Sequence, residues 1–379
     1  SYTLKPFSEN DQETFLNNNW SKTPSCSLKK GGCIYAKKLI DSVSQLISDE
    51  KKEFTGIPLH TRILAEAFEN KYKTFCNSPH QNKVNLPNYM NIVEFFPIFV
   101  KRKFQLSFHL ARIPRDYKRI LFDDFHKKQN LLALYTLFSE NDLTQLLSRN
   151  KIEETLNYKF QWEEGFISKI VDGKPLITHI SFANYFAARF LSSEKKIKKQ
   201  NVKHFLRGQI FRKENELFCR FFNYMLTEDK YGCGVHIAVL SNDEDEVKRL
   251  LYNTVEDITC ATDRAGRTAL HLAVAFGDFN ITIILLENGF NVNQRDQLLG
   301  WSPLNYAEED GDKKIVEILF QRVPVKGYAN FSMEAHDRLS PIFKAVSSVA
   351  ALKSQTNLNK LSADRLSSFQ HRITYSVKK

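Results

Sequence analysis

Four short, similar phrases recur at nearly constant spacing in the last third of this 379-residue chain. They read CGVHIA, TALHLA, SPLNYA and SPIFKA, and they close on Ala238, Ala273, Ala307 and Ala345. The closing alanines are 35, 34 and 38 residues apart. A nearly fixed period of this length indicates a repeat architecture, because each unit buries its apolar face only against a neighbouring unit.

The second unit shows why these residue types recur. Gly266 permits a tight turn, and Thr268 is placed to cap the helix that follows. The small side chain of Ala273 allows neighbouring helices to approach closely. We interpret His271 as a structural hydrogen-bonding residue and not as a ligand. The unit therefore predicts a turn, a capped helix and a close helix contact.

The other three units vary this pattern. The third repeats it with Gly300, Ser302 and Ala307, and it has one additional residue between Asp296 and Gly300 that we expect in a solvent-facing loop. The first unit lacks the glycine and threonine of this entry, so we expect it to serve also as an N-terminal cap. The fourth keeps Pro341 but has no recognisable end to a second helix, which indicates a degenerate cap.

The period and the phrase TALHLA resemble the ankyrin repeat, whose signature is TPLHxA and whose period is about 33 residues. The resemblance covers residues 231–347. It implies an α-solenoid whose concave, loop-lined surface binds a protein partner and which carries no catalytic chemistry. The alternative is that the units only close off a larger domain and bind nothing.

Three further phrases lie in the first two thirds of the chain. They span residues 4–20 (LKPFSENDQETFLNNNW), 56–68 (GIPLHTRILAEAF) and 177–191 (ITHISFANYFAARFL). In this order they resemble the C-terminal half of NACHT-type signal-transduction ATPases, the class that includes the NOD-like receptors. The resemblance covers roughly residues 1–191.

Together the two resemblances imply a mainly α chain with a domain order. A helical domain is expected at 1–105 and a winged-helix domain at 106–192. A basic helical linker follows at 193–230, then the ankyrin repeats at 231–347 and a basic tail or degenerate cap at 348–379. The function expected of such a chain is that of an intracellular scaffold or regulator that binds other proteins.

The NACHT resemblance also implies roles for two residues. Pro58 would be the adenine-side contact, and His179 would touch the nucleotide phosphate in the inactive state. The sequence departs from the family at Asn184, where the family has glutamate. The alternative is that His179 packs near a buried aromatic stripe that begins at Phe182.

Sequence motifs for catalysis are absent. The chain has no GxxxxGK[ST] loop to hold phosphates and no apolar strand ending in paired acids for magnesium. It also lacks G-x-S-x-G and H-E-x-x-H. We therefore expect no enzyme and no cofactor in this chain, with ADP or ATP bound only in an intact parent. Because the chain begins with Ser1, we interpret it as an internal piece of such a polypeptide.

The charge is unevenly distributed. The whole chain carries a net charge of +11, while residues 230–322 hold nine Lys/Arg against fifteen Asp/Glu, a net of −6. Residues 323–379 hold nine Lys/Arg against three acids, a net of +6. A winged helix followed by the basic run at 195–213 leaves a nucleic-acid-binding alternative open, because lysine and arginine neutralise phosphates.

Two sequence features bear on the compartment. The six cysteines are never spaced as CxxC, so we expect reduced thiols and no zinc site, as is typical of a cytoplasmic protein. The most apolar stretch, 92–100, contains Glu94 and Pro97 and falls short of the roughly 20 apolar residues that a membrane span requires. The sequence therefore predicts no membrane segment.

Overall fold

The computed structural model describes residues 6–21, 29–46, 53–76, 92–107, 114–148, 166–171, 174–227, 233–253 and 258–322. The predicted fourth repeat unit and the basic tail at 348–379 lie outside these residues. Within them the chain is mainly helical, so the predicted fold class is confirmed.

The first part of the described chain is built from helices of very different lengths. They are α1 (Glu9–Ser21), α2 (Lys29–Leu46), α3 (Glu53–Gly56), α4 (Pro58–Cys76), α5 (Ile92–Ser107), α6 (Arg115–Leu137) and α7 (Glu140–Thr144). Helix α1 packs on α2 and α4. The indole N–H of Trp20 on α1 donates to the carbonyl of Ala65 at 2.8 Å. Helix α4 begins at Pro58, where the missing N–H leaves no bond unmade.

A two-stranded antiparallel hairpin comes next, formed by β1 (Ile167–Val171) and β2 (Lys174–Ile177). Helix α8 (Ile180–Leu191) follows at once and packs along α6. The ring of Phe166, just before β1, contacts Phe182 at 5.0 Å and Phe186 at 5.7 Å between centroids. The hairpin is therefore joined to α8 by an aromatic core.

The segment predicted as a basic linker is packed into the fold. It holds α9 (Glu194–Ile197), α10 (Gln200–Arg207), a 3-10 turn (Lys213–Asn215) and α11 (Glu216–Thr227). Helix α11 contacts α5, α8 and the repeats, and its side chains from Phe221 to Thr227 are all buried. The buried side chains of α11 pack this segment against the helices before it and the repeats after it. The segment is therefore part of the fold and not a linker.

The repeat units are stacked pairs of helices. The inner helices are α12 (Gly234–Leu240), α14 (Ala269–Ala275) and α16 (Pro303–Asp310), and the outer helices are α13 (Glu244–Asn253), α15 (Phe279–Glu287) and α17 (Lys313–Arg322). Each inner helix contacts the next inner helix, and each outer helix contacts the next outer helix. A 3-10 turn (Ile258–Cys260) lies between the first and second units. The predicted solenoid of helix pairs is thus present.

Candidate functional site

Two equivalent loops precede the inner helices of the second and third units. In each, an aspartate N–H donates to the carbonyl that closes the loop, from Asp263 to Arg267 at 2.9 Å and from Asp296 to Trp301 at 2.8 Å. Gly266 (φ +74°) and Gly300 (φ +71°) occupy the left-handed conformation that these loops require. The same loop is therefore built twice, although the second has one more residue.

The additional residue is accommodated differently from our expectation. We expected a solvent-facing insertion between Asp296 and Gly300, but Leu298 in this stretch is only 1% exposed and belongs to the hydrophobic core. The prediction of a solvent-facing loop holds for Gln297 and Gly300, which are exposed, and is wrong for Leu298. The spare length allows one apolar side chain to turn inward.

The inner helices begin at the residues that the sequence singles out. The backbone N–H of Thr268 donates to Nδ1 of His271 at 3.0 Å, and the N–H of Ser302 donates to Oδ1 of Asn305 at 3.1 Å. Each pair closes a reciprocal cap at the start of its helix. Burial lowers the pKa of His271 to about 4, so the ring is neutral and its Nδ1 accepts at neutral pH.

A ladder of histidine hydrogen bonds joins one unit to the next. The Nε2 of His236 in the first unit bonds to the carbonyl of Arg267 at 3.0 Å. The Nε2 of His271 bonds likewise to the carbonyl of Trp301 at 3.2 Å. Ala273 and Ala307 are fully buried at the adjacent helix contacts. The histidines of the repeated phrase thus connect neighbouring units through their backbones.

A buried ion pair ties the second unit to α11. Arg267 is fully buried, and its guanidinium bonds to the Asp263 carboxylate at 2.7 and 2.9 Å. Its Nη1 also donates to Oδ1 of Asn223 on α11 at 2.7 Å. Arg264 donates from its side chain to the carbonyl of Met225 on the same helix. The loop of the second unit is therefore fastened to the preceding part of the chain.

Helix α10 and the residues after it cover the face where we expected a partner. Lys203 donates to the carbonyl of Gln297, and the guanidinium of Arg207 lies 5.1 Å from the Trp301 ring centroid. The ring of Phe211 stacks on Trp301 at 5.9 Å and meets Tyr306 on α16 at 5.7 Å. The concave, loop-lined surface expected to bind a partner is therefore occupied by the chain itself at Gln297, Trp301 and Tyr306. Two cations of the basic run are used in these contacts.

The opposite side of the stack presents what we call the turn edge, residues 241–244, 276–280 and 310–312, where inner helices connect to outer helices. Each connection has one aspartate whose carboxylate accepts a backbone N–H from the first turn of the outer helix at 2.9 to 3.2 Å. These aspartates are Asp243, Asp278 and Asp312. The amide of Asn280 donates to the carboxylate of Glu244 at 2.8 Å, which links the first two connections. The turn edge is therefore acidic, and its first two connections are joined directly.

A groove of about 510 Å³ lies between the first two connections and α11. Its lining includes Phe276 and Phe279, whose side chains are 40% and 37% exposed. Charged side chains around it are Glu216, Arg220, Glu244 and Asp278. The groove thus combines two exposed aromatic rings with an excess of carboxylates.

Of the two residues assigned to nucleotide by resemblance, His179 lies beside the ring of Phe54. The Phe54 ring on α3 is 5.1 Å from the His179 ring and 4.5 Å from the His60 ring, which lies two residues after Pro58. His179 is the N-cap of α8, and its Nδ1 accepts the Ser181 N–H at 3.2 Å. It is half-buried, whereas Phe182 is fully buried. The aromatic stripe that begins at Phe182 is therefore adjacent to His179, which agrees with the alternative that His179 is a packing residue.

A lysine is buried beside this cluster. Lys103 is 1% exposed, and its Nζ lies 3.5 Å from Nε2 of His60 and 3.4 Å from Oγ1 of Thr178. It also lies over the rings of Phe166 and Phe182. Burial lowers the pKa of Lys103 to about 7. Burial, followed by the charge of Lys103, holds the pKa of His60 well below its ordinary value.

Comparison with known proteins identifies the repeats. Residues 235–330 match the family described as ankyrin repeats, in three copies. An ankyrin repeat protein of Acanthamoeba polyphaga mimivirus is 35% identical over 85 residues, 22% of this chain and 11% of that protein. The 26S proteasome regulatory subunit p28 of Saccharomyces cerevisiae is 33% identical over 94 residues, 24% of this chain and 40% of that protein. The chain thus carries ankyrin repeats and spans less than half the length of either relative.

Two searches of the described residues bear on other kinds of site. No three His, Cys, Asp or Glu side chains in them are grouped so that they could hold a metal ion. None of the helices there is both long and apolar enough to cross a membrane.

Proposed function

We propose that this chain is a protein-binding scaffold or regulator that recognises its partner at the turn edge of the ankyrin repeats. The observation that carries the proposal is the stack itself, because ankyrin arrays present extended binding surfaces and are not built around a catalytic centre. The yeast relative is by its name a regulatory subunit of a larger assembly, which agrees with such a role.

The turn edge is favoured over the loop-lined face for a physical reason. A partner on the loop-lined face would have to displace Phe211 from Trp301 and Tyr306. At the turn edge, Phe276 and Phe279 are exposed, so they bring apolar area to an interface without separating rings that pack on each other within the described part of the chain.

The experiment uses the full chain as bait in three forms. These are the wild type, the double variant Phe276→Ser/Phe279→Ser, and the control Tyr252→Ser, which removes a ring that is 91% exposed on α13. We expect the double variant to lose proteins that the wild type and the control retain. Identical retained proteins for all three forms would contradict binding at the turn edge.

The same proposal makes the purified chain inactive as an ATPase. Because the sequence lacks a phosphate-binding loop, we expect no ATP turnover above a buffer blank. Turnover that persists through a second purification would show that catalysis has to be added to the proposed function.

A second proposal is that residues 1–192 are the helical and winged-helix domains of a cytoplasmic NACHT-type signalling protein. The hairpin followed by α8, with His179 at its N-cap close to the start of α4, favours it. Because Nδ1 of His179 accepts the Ser181 N–H, the neutral ring carries its proton on Nε2. That N–H is suited to donate to a phosphate oxygen of ADP or ATP in an intact parent, with Pro58 on the adenine side.

The second proposal has a simple test. The coding sequence before Ser1 should contain a GxxxxGK[ST] motif within about 150 residues, the size of one domain. If it does, the parent protein carrying His179→Ala should retain less nucleotide than the parent carrying His204→Ala, a histidine outside the phrase. Absence of the motif, or equal retention by the two variants, would remove the nucleotide role from His179.

A further inference from the structure

We propose that the groove of the turn edge is a docking site for the chain's own basic C-terminal segment, residues 348–379. Bound there, the segment would cover the recognition surface until a partner displaces it. This inference deepens the proposed function, on which it rests, because it names what regulates access to the same surface.

The groove has the chemistry of a receptor for a basic, partly apolar segment. Its apolar contribution comes from Val239, Leu240 and the exposed rings of Phe276 and Phe279. Three carboxylates, those of Glu216, Glu244 and Asp278, line the groove with one guanidinium, that of Arg220. The Glu244 carboxylate also pairs with Lys248 at 3.6 Å, which leaves an excess of one negative charge. An occupant with several cations and a few apolar side chains complements both features.

The C-terminal segment has this composition. It contains six Lys/Arg and one acid, Asp364, over 32 residues. Apolar and aromatic residues are interspersed with the cations, notably Phe369, Ile373 and Tyr375 before the final Lys378–Lys379. The repeats carry an excess of carboxylates, so the segment and the stack attract each other before any specific contact forms.

The segment is also long enough to reach the groove. Packed helices lie about 10 Å apart, so the groove is on the order of 20 Å from α17, the last described helix. An extended chain spans about 3.3 Å per residue, so the 25 residues between Arg322 and position 348 are more than enough to bridge that distance and leave the whole segment available to bind. Because a tethered ligand has an effective concentration in the millimolar range, modest complementarity suffices to fill the groove.

The test titrates a synthetic peptide of residues 360–379 into full-length proteins. One is the wild type, and the other is a tail-neutral variant with Arg365→Gln, Arg372→Gln, Lys378→Gln and Lys379→Gln. We expect the peptide to bind the tail-neutral variant with one-to-one stoichiometry and to bind the wild type at least about tenfold more weakly, because the tethered segment competes. A scrambled peptide of the same composition should bind weakly to both.

A matched pair of charge reversals places the binding site. In the tail-neutral background, Glu216→Lys/Glu244→Lys should weaken peptide binding at least about tenfold, since both carboxylates line the groove. The control Glu287→Lys/Glu317→Lys reverses two exposed charges on α15 and α17 that do not line the groove, and it should change binding less than about twofold. Circular dichroism confirms that each variant is folded.

Several results would overturn the proposal. They are absence of peptide binding, equal binding by wild type and tail-neutral variant, equal binding of the scrambled peptide, or equal effects of the groove and control reversals. A failure of this kind leaves the bait experiment unaffected, because that experiment asks only whether Phe276 and Phe279 retain an external protein. If an external basic partner occupies the groove instead, the wild-type bait retains a protein, and the peptide binds the wild type and the tail-neutral variant equally well.

Discussion

The repeats and the region before them are stabilised in different ways. In the repeats, histidine rings bond to backbone carbonyls at equivalent positions of successive units, as His236 and His271 do. In the earlier region, the core is a network of rings in which Phe54 contacts Phe95, Phe99 and Phe182 at 5.2 to 6.2 Å. Repeated polar contacts have a sequence signature, whereas a ring network does not, and the two regions therefore differ in how far they can be predicted.

The largest expected effect tests the packing of the repeats. Ala273 is fully buried between stacked helices, so Ala273→Asp places a carboxylate in an apolar contact and should cost about 4 kcal/mol. Chemical denaturation of the full chain measures this cost. The control Ala275→Asp, at a half-buried position on the same helix, should cost about 1 kcal/mol. Equal midpoints for the two variants would show that the helix contact is misplaced.

Two buried cations should respond in opposite directions to replacement by methionine. Arg267→Met leaves the Asp263 carboxylate buried without its partner and should cost about 3 kcal/mol. Lys103→Met should stabilise the chain by about 2 kcal/mol at pH 7, because no salt bridge to Lys103 is found among the described residues and burial disfavours its charge. Urea unfolding at pH 7 distinguishes the two signs.

The Lys103 effect has a defined pH dependence. Its pKa is about 7 in the folded chain and 10.5 in its ordinary environment, so the unfolded chain binds more protons between these values. Wild-type stability therefore gains from this group as the pH rises through that window. The advantage of Lys103→Met should be greatest at and below pH 7 and should shrink toward pH 10.5. A difference that stays constant with pH would mean that the lysine is not desolvated.

The two loop glycines should differ although their φ values are nearly equal. A Cβ at Gly266 would lie 2.6 Å from Cγ and 2.9 Å from the backbone N of Gln297, whereas a Cβ at Gly300 meets nothing within 4 Å. Gly300→Ala should cost about 1 kcal/mol from its left-handed conformation alone. Gly266→Ala should cost about 3 kcal/mol, because a clash with backbone is added. Thermal denaturation of both variants measures the two costs. Equal decreases in Tm would contradict the clash at Gly266.

The smallest effect compares one helix cap in each region. Ser302→Ala and His179→Ala each remove a side chain at an N-cap and should each cost about 1 kcal/mol. Denaturant unfolding of the full chain measures both. Equal costs would mean that any greater loss of nucleotide by His179→Ala in a parent protein reflects a ligand contact. A much greater cost for His179→Ala would instead assign the residue to packing.

Features with local causes could be predicted from the sequence. The inner helices begin at Thr268 and Ser302, and the loop glycines have positive φ, because turn and cap preferences act within a few residues. Helix α4 beginning at Pro58 is predictable for the same reason. The inward position of Leu298 could not be predicted, since the length of a loop does not determine where one of its side chains points.

Features that join distant segments left no local signal. Asn223 meets Arg267 across 44 residues, and no periodicity indicates that pairing. Lys103 lies in a helix with other cations, where a lysine normally implies a solvated position, yet it is buried. The groove of the turn edge likewise needs α11 to be placed against the second unit. Its phenylalanines, Phe276 and Phe279, flank a Gly-Asp turn and could have been noted as exposed apolar residues.

The bond between Arg267 and Asn223 has a mechanical consequence. In a solenoid each unit packs mainly on its neighbours, and here the third unit is also held by Phe211 against Trp301 and Tyr306. A force that pulls on Lys379 should therefore break these ring contacts as it peels the third helix pair from the stack. The third unit would come away before the second. Peeling should then stall where the second unit is fastened to α11 through Arg264 and Arg267. Under force the stack would thus unfold in steps from its C-terminal unit, and the second unit would resist longest.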